Sequence, residues 1–82
     1  MSSIRVAVLG GGSWGTTVAH LCAHNAPTTL WARDAETVAS INEHHENGRY
    51  LAGFQLHADL RATTELAEAL DRADLLVVGV VE

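Results

Sequence analysis

The chain has 82 residues, 48% of them hydrophobic, and its ten acidic and five basic residues give a formal net charge of −5. This length supports one domain with an ordinary globular core. The basic residues are five scattered arginines, so the chain lacks the charge pattern of a nucleic-acid-binding protein. The longest apolar stretch, Leu75–Val81, is too short to span a membrane. Cys22 is the single cysteine, which excludes an intramolecular disulfide and favours a reducing cytoplasm.

The first part of the chain predicts a strand, a helix and a second strand. Ile4–Leu9 is a short β-branched run closed by three glycines, which indicates a buried strand with a sharp turn at its end. Between Trp14 and His24, apolar residues recur at helical spacing. The predicted inward stripe of this helix consists of Trp14, Val18, Leu21 and Cys22. Pro27 ends the helix region, and Thr28–Trp31 predicts the second strand.

A second helix and a loop follow. Asp34 is the predicted N-cap of a helix from about Ala35 to His44, with Val38 and Ile41 on its apolar side. After a polar stretch, Tyr50–Phe54 predicts a loop with apolar anchors.

The last part completes a βαβαβαβ order. Leu60–Thr63 predicts a third strand, a third helix opens at Thr64–Leu66, and Asp74–Val80 is the most strand-like run. The predicted apolar side of the third helix consists of Leu66, Ala69 and Leu70. This order predicts an α/β, Rossmann-like parallel sheet with helices on both faces. Such folds continue beyond a fourth strand, so we expect residues 1–82 to be the N-terminal part of a dinucleotide-binding domain, truncated after that strand, with the substrate domain absent.

The glycines after the first strand fit the pattern G-x-G-x-x-G with Gly10, Gly12 and Gly15. Gly10 allows the tight turn, Gly12 lets a pyrophosphate approach the backbone, and Gly15 lets the helix pack against the strand. Ser13 adds a hydroxyl donor where the helix N-terminus favours phosphate. Trp14 either packs on its own helix or borders the cofactor. The alternative is a glycine-rich turn without a ligand.

Cofactor choice is predicted at the end of the second strand. Arg33 occupies the position where NAD-binding proteins place an acidic residue, and Asp34 follows it. A guanidinium there would pair with a 2′-phosphate, which favours NADP(H), with NAD(H) as the alternative. We interpret Asp34 as a helix cap.

The remaining polar residues predict neither a metal site nor a nucleophile. His20 and His24 are one helical turn apart but lie off the apolar stripe, so we expect them to be exposed. His44 and His45 are adjacent and point in different directions, so they are poorly placed to bind one ion. No serine has the context of a nucleophile elbow. The chain has no lysine. If it belongs to a hydride-transfer enzyme, an acid/base lysine would have to lie in another part of the protein.

Several runs resemble bacterial-type NAD(P)-dependent glycerol-3-phosphate dehydrogenases. The run Val8–Thr17, with Ser13-Trp14-Gly15 in its glycine loop, is similar to their N-terminus. Leu30–Asp34 resembles their second-strand motif, and Asn47–Gly53 their N-x-x-Y-L-x-G loop. Residues 60–64 and 73–80 are similar to their third and fourth strands.

The resemblance implies an enzyme that interconverts sn-glycerol 3-phosphate and dihydroxyacetone phosphate with NAD(P)(H) and supplies glycerophospholipid synthesis. Its cofactor contacts would fall on Ser13, Trp14, Arg33 and Tyr50. The family's catalytic lysine lies later in the chain, so this segment holds no catalytic residue and is expected to be inactive alone. The complete enzyme is expected to be a cytoplasmic homodimer acting on a small molecule.

The chain departs from the family at several positions. Ala52 and His57 stand where proline is usual, and Val80-Val81-Glu82 stands where the family typically has V-P-S. Two alternatives stay open. One is another reductase, similar to ketopantoate reductase or 6-phosphogluconate dehydrogenase, and the other is a non-catalytic nucleotide-sensing module.

Overall fold

The computed structural model describes residues 4–79. In this part of the chain, strands and helices alternate in the predicted βαβαβαβ order. The strands are β1 (Val6–Leu9), β2 (Thr28–Trp31), β3 (Arg61–Thr63) and β4 (Leu75–Val78). The helices are α1 (Ser13–Ala23), α2 (Ala35–His44) and α3 (Leu66–Leu70). β2 and α2 have the predicted bounds, whereas β1 and β3 begin later than predicted, and the predicted end of the last strand at Val80 lies outside the described residues.

The strands form one parallel sheet in the order β3-β2-β1-β4. In β1, Val6 pairs with Thr28 on one side and with Leu75 on the other. The chain moves outward from β1 to β3 and then crosses to the far side of β1. Because such crossovers are right-handed, α1 and α2 lie on one face of the sheet and α3 on the other. The strand order therefore reverses at β1. Open α/β folds bind ligands at such a point, in the crevice at the carboxyl ends of the strands.

The core lies between the sheet and the helices of one face. Val8 and Leu30 from the sheet and Ile41 from α2 are fully buried. Val38 packs against the same cluster, so the predicted apolar side of α2 is confirmed. Leu56, from the loop after α2, is buried in this cluster as well.

Small side chains form the buried face of α1, and the predicted stripe is wrong in its large residues. Trp14 is 54% exposed and Leu21 is 59% exposed, while Val18 and Cys22 are partly buried. The buried residues of the helix are Gly15, Thr16, Ala19 and Ala23. Because α1 begins directly at the glycine loop, it lies too close to the sheet for large side chains to fit between them.

α3 and β4 leave apolar residues exposed. Of the predicted apolar side of α3, Ala69 is buried, but Leu66 and Leu70 are exposed, so the prediction is wrong for both leucines. β4 is an edge strand of the described sheet, and Leu75 and Val78 are exposed on it. Between residues 4 and 79, no helix combines the length and apolar character that crossing a membrane requires.

Candidate functional site

A cleft of about 750 Å³ opens where the carboxyl ends of β1, β2 and β4 meet. The predicted cofactor residues that line it are Gly10, Gly12, Ser13, Trp14, Arg33 and Tyr50. Gly15 does not line the cleft and is buried in the first turn of α1. The fold therefore brings together three distant parts of the chain: the glycine loop, the segment after β2 and the loop after α2.

The glycines of residues 10–15 have different surroundings. Gly10 has a φ of 123°, a conformation that residues with side chains rarely adopt. A Cβ on Gly15 would overlap the carbonyl oxygen of Gly10, so only glycine lets α1 start this close to β1. A Cβ on Gly12 would meet no atom within 4 Å. The backbone of Gly12 is therefore open to a ligand in the cleft.

The N-terminus of α1 lies at the cleft with its N–H groups uncapped by side chains. Gly12 is the N-cap, and no side chain between residues 4 and 79 caps this helix end. The first turn carries no acidic residue. Unpaired N–H groups and the positive end of a helix dipole favour an anion such as a phosphate group. This arrangement suits the pyrophosphate of a dinucleotide.

Asp34 caps α2, as the sequence predicts. Its Oδ2 accepts hydrogen bonds from the backbone N–H of Thr37 at 3.2 Å and from the Thr37 hydroxyl at 2.8 Å. Nη1 of Arg49 lies 3.4 Å from the same oxygen. The bond from the Thr37 hydroxyl is the main cause that holds the pKa of Asp34 below its ordinary value. Arg33, one residue earlier, is exposed and lines the cleft.

Aromatic side chains form outer walls of the cleft. Tyr50 is half exposed, and the guanidinium carbon of Arg49 lies 5.4 Å from the centre of its ring. Trp14 lines the cleft and also packs on the end of the sheet, because a Cβ on Gly79 would lie 2.8 Å from its Cε3 atom. The packing of Trp14 is thus against Gly79 after β4, and its contact with a cofactor stays a prediction.

Two supports of the glycine loop were not predicted. A Cβ on Gly11 would lie 2.7 Å from the Cβ of Ala32, so the loop packs directly on the end of β2. Asn47 is fully buried, and its side chain donates a hydrogen bond to the carbonyl oxygen of Gly11 at 2.8 Å. An asparagine in a polar stretch gives no indication of burial. Only its place in the N-x-x-Y-L-x-G run pointed to it.

The histidines of α1 make more contacts than expected. His24 is exposed, as predicted, but His20 is partly buried, and its Nδ1 accepts the backbone N–H of His57 at 2.9 Å. Proline, which the resemblance expects at position 57, would lack this N–H. Burial, followed by the nearby His24 and His57, lowers the pKa of His20. Within residues 4–79, no group of three or more His, Cys, Asp or Glu side chains could hold a metal ion.

Residues 5–82 match a family model described as the N-terminus of NAD-dependent glycerol-3-phosphate dehydrogenase. Glycerol-3-phosphate dehydrogenase (NAD(P)+) 2 of Sphingopyxis alaskensis is 56% identical over 77 residues, which cover 94% of this chain and 23% of that protein. The glycerol-3-phosphate dehydrogenase (NAD(P)+) of Mycobacterium avium is 53% identical over 81 residues, which cover 98% and 24%. The chain spans about a quarter of the length of these curated relatives.

Solved structures show the same architecture. A glycerol-3-phosphate dehydrogenase of Plasmodium falciparum superposes with a TM-score of 0.85 at 28% identity, covering 95% of this chain and 25% of that one. The enzyme of the same name from Coxiella burnetii gives a TM-score of 0.82 at 27% identity, covering 93% and 24%.

Proposed function

The chain belongs to the family of NAD-dependent glycerol-3-phosphate dehydrogenase N-termini, and from this premise we propose that it is the cofactor-binding segment of a glycerol-3-phosphate dehydrogenase. The complete protein would interconvert sn-glycerol 3-phosphate and dihydroxyacetone phosphate and so feed glycerophospholipid synthesis. The observation that carries this proposal is the cleft at the uncapped N-terminus of α1, where Gly12 leaves the backbone open. When bound there, a nicotinamide cofactor would supply or take up the hydride.

The residues of the cleft fit such a cofactor. Ser13 and the backbone at Gly12 would hold the pyrophosphate, and Trp14 and Tyr50 would border the bound molecule. Residues 1–82 would form the N-terminal part of a Rossmann domain, and the groups that bind substrate and move protons would lie in other parts of the protein. Homodimerisation of the complete enzyme stays a prediction. A cytoplasmic location of the complete enzyme stays a prediction as well.

Relatives are named for NAD(P)+, and we infer a preference for NADP(H) from the end of β2. An NAD-type site needs a carboxylate that accepts bonds from the ribose hydroxyls. Here Oδ2 of Asp34 is already engaged by Thr37 and Arg49. Asp34 and Arg33 both line the cleft at this point, and the guanidinium of Arg33 suits a 2′-phosphate.

Turnover by the full-length protein tests the reaction. We expect it to oxidise NADPH when dihydroxyacetone phosphate is added, measured by the loss of NADPH absorbance. A folded full-length protein that binds NADPH without turnover would be a nucleotide sensor, and this outcome would overturn the enzymatic part of the proposal.

Arg33→Gln tests the cofactor preference. Loss of a charge-assisted bond to phosphate should raise the Kd for NADPH about ten- to a hundredfold and leave the Kd for NADH nearly unchanged. Arg61→Gln is the matched control, because the Arg61 side chain bonds the carbonyl oxygens of Ala58 and Leu60 and does not line the cleft. Equal effects of Arg33→Gln on both cofactors would contradict the preference.

A further inference from the structure

Asn47 is buried at the junction of the glycine loop and the loop that carries Tyr50. Its side chain is 0% exposed, although it lies in a polar stretch of the sequence. It is separated by 36 positions from Gly11, to which it is hydrogen-bonded. A buried amide is stable only when its polar atoms are paired, so its partners are informative.

Each polar atom of the Asn47 side chain has two partners. Nδ2 donates to the carbonyl oxygen of Gly11 at 2.8 Å and to Oγ1 of Thr16 at 2.9 Å. Oδ1 accepts the backbone N–H groups of Arg49 at 3.3 Å and Tyr50 at 3.2 Å. The orientation of the amide is fixed, because a carbonyl oxygen can only accept and a backbone N–H can only donate.

These bonds connect two walls of the cleft. The Thr16 hydroxyl also donates to the carbonyl oxygen of Gly11 at 3.3 Å, so Gly11, Thr16 and Asn47 form a closed triangle of hydrogen bonds. On the other side, the bond to the Tyr50 N–H fixes the backbone of a residue that lines the cleft. Asn47 itself is not among the residues that line the cleft.

We propose that Asn47 is a positioning residue for the cofactor site: its amide fixes the glycine loop and the Tyr50 loop relative to each other, so that both face the same bound dinucleotide. This inference rests on the proposed function. Asn47 does not line the cleft and would act through the backbone of Gly11 and of Tyr50. Its effect should therefore appear in cofactor affinity, beyond any effect on folding.

The test compares two asparagine variants in the full-length protein. Asn42 makes a similar pair of bonds between α2 and β3, because its Nδ2 donates to Ala62 O at 3.0 Å and its Oδ1 accepts Ala62 N–H at 2.9 Å. It does not line the cleft. We expect Asn47→Ala to raise the Kd for NADPH about tenfold and Asn42→Ala to leave it unchanged, with unfolding measured for both. If both variants change the Kd equally, the proposal is overturned.

A second variant adds a measurement that a general loss of stability would not change. Asn47→Asp keeps Oδ1 for the two N–H groups but places a second oxygen against the carbonyl oxygen of Gly11. When protonated, this carboxyl donates a hydrogen bond to Gly11, and when ionised it cannot. We expect the ratio of variant to wild-type Kd to fall as the pH is lowered. A ratio that does not depend on pH would contradict the proposal, whereas a wild-type protein that binds neither NADPH nor NADH would refute the proposed function itself.

Discussion

The indole ring of Trp14 lies against Gly79 so closely that a Cβ on Gly79 would fall 2.8 Å from Cε3 and 2.9 Å from Cζ3. Gly79 extends the pairing of β1 with β4, because its N–H donates to the carbonyl oxygen of Leu9 at 2.7 Å. The end of one strand therefore determines where an aromatic wall of the cleft can lie. The contact connects α1, which follows β1, with the end of β4, next to the point where the strand order reverses.

We expect Gly79→Ala to displace the Trp14 ring and to raise the Kd for NADPH about three- to tenfold, because overpacking forces neighbouring side chains to move. Calorimetric titration of the full-length protein would measure this. In the Trp14→Leu background, Gly79→Ala should have a smaller effect, since the clashing ring is absent. Gly48→Ala is the control, because the nearest atom to a Cβ there is Ser40 Oγ at 4.0 Å. Additive effects of the two substitutions would contradict the expectation.

Substitutions at Gly12 and Gly15 should have separate effects, the first on cofactor affinity and the second on stability. Gly15→Ala places a methyl group against the Gly10 carbonyl, so we expect the free energy of unfolding to fall by about 1–3 kcal/mol. Gly12→Ala meets no atom within 4 Å and should change stability by less than about 0.5 kcal/mol. Its methyl group would, however, occupy the open side of the cleft and weaken NADPH binding. Denaturant unfolding and calorimetric titration together measure both effects, and an unchanged Kd for Gly12→Ala would count against a phosphate at this position.

Asp34 should make the chain less stable in acid. Its pKa in the folded chain is lowered from the ordinary value of 3.8, so its contribution to stability is present above that pH and is lost as the pH falls through the folded pKa. Asp34→Asn should therefore lower the free energy of unfolding at neutral pH and change it little at a pH below the folded pKa of Asp34. Thr37→Val removes the hydroxyl that is the main cause of the shift and should reduce the same pH dependence. Unfolding curves across this range test both variants. If the difference in the free energy of unfolding between wild type and Asp34→Asn stays constant with pH, the expectation is refuted.

His20 should give a second pH effect nearer neutrality. Its pKa is lowered from 6.5, so the folded chain binds fewer protons than the unfolded chain, and stability should decrease as the pH falls below about 6.5. His20→Asn keeps a side-chain acceptor for the His57 N–H without a titrating ring and should flatten this part of the profile. His44→Asn, at an exposed position on α2, is the control. Parallel profiles for wild type and His20→Asn would show that other groups cause the decrease.

Local chemistry made part of this fold predictable. The bounds of α2 follow from the Asp34 cap, whose partner Thr37 is three residues away. β2 follows from Pro27 and the β-branched run after it. The buried face of α1 was not predictable in the same way, because helical periodicity reports where apolar residues lie and not how near the helix comes to the sheet. Periodicity therefore predicts buried positions for Trp14 and Leu21, although the close approach at Gly15 admits only small side chains.

The supports of the candidate site depend on contacts between distant positions. Asn47 and Thr16 are 31 positions apart, and no pattern of neighbouring residues indicates that their side chains are paired. The glycine spacing predicted the loop, and Arg33 and Tyr50 were predicted to lie near it, which the cleft lining agrees with. Which residue holds these parts together becomes visible only once the chain is folded.

The contact between Gly11 and Ala32 has a consequence for attempts to redesign the cofactor preference. Ala32 immediately precedes Arg33 and Asp34, the residues that such a redesign would exchange, and its methyl group touches the space that a Gly11 side chain would need. A larger residue at position 32 would push the glycine loop away from the sheet, and we expect it to weaken the binding of NADPH and NADH alike. Libraries intended to convert one cofactor preference into the other should therefore vary positions 33 and 34 and keep the alanine before them.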